Sequence, residues 1–81
     1  MKANLDCMRD VLCYIYNNID DMEKIRFESI TAACKDYTND ELTSTLKRIV
    51  KAGMVVVLPI PKLVITDITA DGIECMRNLL E

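Results

Sequence analysis

Histidine and tryptophan are absent from this 81-residue sequence, and Phe27 is the only phenylalanine. Without histidine, no nucleophile stands paired with a base in any familiar pattern, and Ser29 and Ser44 carry no signature around them. Glycine is confined to Gly53 and Gly72, so there is no glycine-rich phosphate loop. Carboxylate pairs such as Asp20-Asp21 read as solvated charge in a turn. Catalysis is therefore not expected, and no cofactor or small-molecule ligand is predicted.

A run long and apolar enough to be a signal peptide or a membrane span is also missing, so the chain reads as a soluble, cytoplasmic protein. Cys7, Cys13, Cys34 and Cys75 form no C-x-x-C pair, which speaks against a zinc centre. They read as reduced thiols acting as small hydrophobes, and no metal site is expected.

What is present fits one small domain over residues 1–81. A chain of this length buries only about 60% of its unfolded surface, so a second subunit would help it. Hydrophobic residues make up 51% of the chain, which points the same way. The formal net charge is −3, yet residues 38–63 carry four cations, Lys47, Arg48, Lys51 and Lys62, against Asp40 and Glu41. This local surplus of two positive charges is the main electrostatic signal.

The periodicity predicts a first helix capped by Asn4 and reaching about Asn18, with a turn over Asn17-Asn18 and Asp20-Asp21. Leu5, Met8, Leu12, Ile15, Tyr16 and Ile19 make one apolar stripe. Cys7, Val11 and Tyr14 make a second on the far side. Two stripes mean a sandwiched helix, either within the subunit or between subunits. Lys24-Ile25-Arg26-Phe27 alternates as a short strand does, and Glu28 to Lys35 suits a short helix.

Thr38 and Glu41 spell a capping box, opening a helix whose inward stripe is Leu42, Leu46, Ile49 and Val50 and which Gly53 ends. Met54 to Leu58 and Leu63 to Thr66 read as two strands, separated by Pro59-Ile60-Pro61. Thr69 is the expected N-cap of a last helix, where Ile73, Met76 and Leu80 form one stripe and Cys75 and Leu79 another.

The order is helix, short strand, helix, helix, β-hairpin wing, C-terminal helix: an α+β chain in the winged helix-turn-helix arrangement. Leu42 to Val55 resembles the third helix and first wing strand of that superfamily, ending in Lys51-Ala52-Gly53 before Met54-Val55. Ile68-Thr69-Ala70-Asp71-Gly72 resembles the step that opens the helix after the wing. Leu5 to Leu12 together with Asp67-Ile68-Thr69 is similar to a family of small, uncharacterised bacterial and prophage proteins with a winged-helix fold. The resemblance implies a bacterial or prophage origin and specifies fold better than activity.

In a helix-turn-helix protein the second helix of the motif enters the major groove of double-stranded DNA. Here Thr43 and Ser44 would reach bases, while Lys47, Arg48 and Lys51, with Lys62 near the wing tip, would reach phosphates. The expected function is a dimeric, DNA-binding transcriptional regulator. Three features oppose it: the acidic total, the apolar wing tip, and Asp40 and Glu41 at the helix start. The alternative is a protein-interaction module that does not bind DNA, docking through Ile60 and the stripes Cys7/Val11/Tyr14 and Cys75/Leu79. Those same stripes are the candidate homodimer contact of the terminal helices.

Overall fold

Asn4 starts the chain's first helix by accepting a hydrogen bond from the Cys7 N–H through its side chain (3.0 Å). In the computed structural model, which describes residues 4–58 and 63–81, seven elements follow one another. They are α1 (Leu5–Met22), β1 (Ile25–Arg26), α2 (Phe27–Ala33), α3 (Asn39–Lys51), β2 (Val55–Val57), β3 (Val64–Ile68) and α4 (Ala70–Leu80). The strands form an antiparallel sheet in the order β1-β3-β2, so the last strand lies in the middle. The chain is thus α+β, with helices gathered around a small sheet. Among the described residues, no helix is long and apolar enough to cross a membrane.

Helix α1 overruns its expected end at Asn18 by four residues. Asn and Asp disfavour helix interiors because their side chains compete for backbone groups. Here Asn18 Nδ2 donates to the Tyr14 carbonyl (2.8 Å), a bond compatible with the helix, and Ile19 prolongs the buried stripe. The helix stops at Glu23, which has φ 61°, and whose N–H donates to the Ile19 carbonyl.

The two apolar stripes of α1 prove to be neighbouring sectors of one arc. At roughly 100° per residue, Cys7, Val11, Ile15, Met8, Ile19 and Leu12 span about 140°. All six are buried within the single chain. Leu5 and Tyr16 fall past one edge of that arc and are exposed, at 56% and 42%, which corrects their assignment to the inward stripe. Tyr14 falls past the other edge and is half-buried.

Strand β1 is only two residues long, and α2 begins at Phe27 rather than Glu28. Ile25 is fully buried and pairs with Ile65, while Arg26, exposed, pairs with Val64. Strands β2 and β3 pair from Val55↔Ile68 through Val56↔Asp67 to Val57↔Ile65, so Thr66 is an extra residue on β3. Its hydroxyl donates to the Val56 carbonyl (3.3 Å). The shift breaks the inside–outside alternation, and Val64 and Ile65 are consecutively buried. Asp67 and Ile68, expected as a lead-in to α4, belong to the strand.

The turn after α3 and the start of α4 are tied together. Gly53 takes the left-handed conformation (φ 72°) that a helix end favours. The Thr69 hydroxyl donates to the Gly53 carbonyl (2.7 Å) and accepts from the Gly72 N–H (3.2 Å), and the Thr69 N–H donates to the Met54 carbonyl (2.9 Å). Gly72 lies so close to Met54 that a Cβ there would collide with the Met54 carbonyl oxygen. One junction therefore sets the position of α3, the β2–β3 pair and α4 relative to each other.

Candidate functional site

Helix α3 is held at its start by the expected capping box: the Thr38 side chain accepts from the Glu41 N–H (3.1 Å), and Glu41 Oε1 accepts from the Thr38 N–H (3.1 Å). Glu41 Oε2 also accepts from Asn4 Nδ2 (2.9 Å), joining the caps of α1 and α3. The Thr38 backbone and the Asn4 side chain hold the Glu41 carboxyl below its ordinary pKa. This carboxylate is engaged in the fold and turned to the caps, whereas Asp40 is exposed.

Behind α3, Tyr37 donates its hydroxyl to Asp10 Oδ2 (2.6 Å), tying the turn before α3 to the middle of α1. That bond, supported by Arg9 Nε on Asp10 Oδ1 (3.0 Å), lowers the Asp10 pKa and raises that of Tyr37. Leu42, Leu46 and Ile49 face inward as expected. The fourth buried position is Thr45, and not Val50, which is half-buried on the helix flank. A buried threonine has no signature in a hydrophobic stripe.

The outward side of α3 exposes Thr43, Ser44, Lys47, Arg48 and Lys51, so these five candidates share one helix surface. Lys62 and Ile60 lie outside the described residues. The candidate partner residues do not come together on the surface. Cys7 and Val11 are completely enclosed by the chain's own core, and Tyr14, Cys75 and Leu79 are half-buried against it. Helix α1 packs against both α3 and α4 within the one chain. Burial pushes the thiols of Cys7, Cys13 and Cys34 above their ordinary pKa, and all four cysteines are free.

The structure adds a feature that periodicity did not reveal. A groove of about 600 Å³ opens between the first turn of α2 and the flank of α3. Phe27, Leu46, Val50 and Leu63 supply its apolar lining. Thr43, Lys47 and Lys51 line it from α3 and Glu28 from α2. Three of the candidate DNA-contacting residues therefore also border an apolar groove. The only sequence signals for it were the single Phe27 and the position of Val50 at the edge of its stripe. Comparison with protein-family models, curated proteins and solved structures gave no match to this chain.

Proposed function

We propose that this chain is a small winged-helix protein that binds double-stranded DNA through α3, as a dimer, in the manner of a prophage-type transcriptional regulator in the cytoplasm. The observation that carries the reading is the outward surface of α3. It exposes two hydroxyls and three cations, of which Lys47 and Lys51 carry the reading. The element order and the β1-β3-β2 sheet suit a winged helix, in which α2 and α3 form the helix-turn-helix and β2–β3 the wing. Glu41 stays ionised in the caps, so its charge, with that of the exposed Asp40, still opposes phosphate near the start of α3 and leaves the contacts to its middle and end. Lys47 and Lys51 would position the helix on phosphates, and Thr43 and Ser44 would meet base edges.

So few cations per chain give modest, salt-sensitive affinity, which is why the reading includes a dimer. With Cys7 and Val11 buried, the exposed large apolar residues on the terminal helices, among the described residues, are Leu5, Tyr16, Met22 and Leu80. A second reading, an interaction module without DNA binding, draws on the same exposed groups together with Val56 and Leu58. Chemical-shift mapping with duplex DNA at low salt separates the two. Shifts concentrated on residues 43–51 support DNA binding, and an unchanged spectrum favours the interaction module.

A further inference from the structure

The α2–α3 groove combines an apolar lining with a charged wall of one sign. Lys47 and Lys51 lie one helical turn apart, four residues from one another, and both border the groove. Among the described residues neither forms an ion pair. Leu46, Val50, Phe27 and Leu63 line the same groove. The volume falls in the roughly 300–1,000 Å³ range of small-molecule sites. Its described lining sets four apolar residues beside two lysines. A small amphipathic ligand fits this arrangement.

We propose that the groove binds a free single-chain carboxylate, with its alkyl tail on Phe27, Leu46, Val50 and Leu63 and its charge at Lys47 and Lys51. Glu28, on the α2 wall, sets the polarity by repelling the carboxylate from that side. A cationic amphiphile meets the opposite field and is disfavoured. Occupancy also neutralises two of the cations assigned to phosphate contact. The ligand therefore competes with DNA, a consequence that rests on the DNA-binding reading, whereas the binding itself does not.

The test is a titration of the full chain with dodecanoate below its micellar range, followed through the methyl resonances of Leu46, Val50 and Leu63. Octanoate and dodecyltrimethylammonium serve as comparisons. Saturable one-to-one shifts are expected with dodecanoate. Octanoate should bind more than tenfold more weakly, since each methylene buried is worth roughly two- to fourfold. The Lys47→Gln/Lys51→Gln double variant, altered only at exposed positions, should lose roughly three- to tenfold for dodecanoate and bind the ammonium more tightly than the wild type does. Absence of saturable shifts at these methyls overturns the proposal. So does equal affinity for the ammonium, or a concentration-dependent closing of the groove by a second copy. If the methyls stay still while duplex DNA binds, the groove proposal fails and the DNA reading stands. If dodecanoate binds and DNA does not, the reverse holds.

Discussion

At the level of single residues, two contacts carry the arrangement around α3. Gly72 sits against the Met54 carbonyl, with no room for a Cβ. Replacing glycine by alanine in a helix normally gains about 1 kcal/mol. The collision is with backbone, which cannot rotate away, and overpacking of this kind costs about 1–3 kcal/mol. The collision should win, so Gly72→Ala is expected to lower stability by up to about 2 kcal/mol in urea denaturation. The second contact is Tyr37 on Asp10. A hydrogen bond to a charged group contributes about 1.5–3 kcal/mol, but the Asp10 side chain is 40% exposed and solvent reduces this. Tyr37→Phe should therefore cost about 1 kcal/mol. The pH dependence follows from the directions of shift. Asp10 has a lowered folded-state pKa, so its contribution is complete above its unfolded value of about 4 and is lost as pH falls through the folded one. Tyr37 has a raised pKa, so its contribution is present below about 10 and is lost at more alkaline pH. Denaturation midpoints of Asp10→Asn should thus fall less than those of the wild type on acidification from neutrality.

At the level of elements, caps and boundary residues were legible and partners were not. Asn4, Thr38 with Glu41, Gly53 and Thr69 all act at the predicted helix ends, because capping is a local interaction that a few neighbouring residues determine. Helix α1 shows where local reading runs out. Its Asn and Asp residues suggested a turn, but burial of Ile19 carries the helix on to Met22. Its apolar residues were correctly singled out but divided into the wrong sets, since the neighbours that define an inward face are distant in sequence. The division can be tested directly. Val11→Ala removes buried methyl groups and should cost about 2 kcal/mol. Tyr16→Ala, on the exposed edge, should change monomer stability by no more than about 0.5 kcal/mol. Urea denaturation of both variants at low protein concentration checks this. Strand β1 shows the same limit: the alternation at residues 24–27 marks a short strand, but only the pairing of Ile25 with Ile65 shows that it joins the sheet beside β3.

At the level of the whole molecule, the acidic total conceals a local division of charge. The outward side of α3 exposes Lys47, Arg48 and Lys51, with Asp40 exposed at its first turn and Glu41 hydrogen-bonded in the caps. That cationic surface could be read from residue spacing. The groove beside it could not, because Phe27, Leu63 and the flank of α3 meet only through the tertiary fold. The dimer predicted with DNA binding should place its terminal-helix contact on Leu5, Tyr16, Met22 or Leu80, and sedimentation of Tyr16→Asp beside the wild type measures this. The most direct test of the central claim is the salt dependence of binding to duplex DNA, measured for the wild type, Lys47→Ala and Lys51→Ala. Binding at low salt is expected, with affinity falling steeply as salt rises and the log–log slope shrinking by about one for each lysine removed from a monomer's contacts. Failure of the wild type to bind duplex DNA of any sequence at low salt, or slopes identical in all three proteins, would contradict the assignment of α3 as the DNA-binding element.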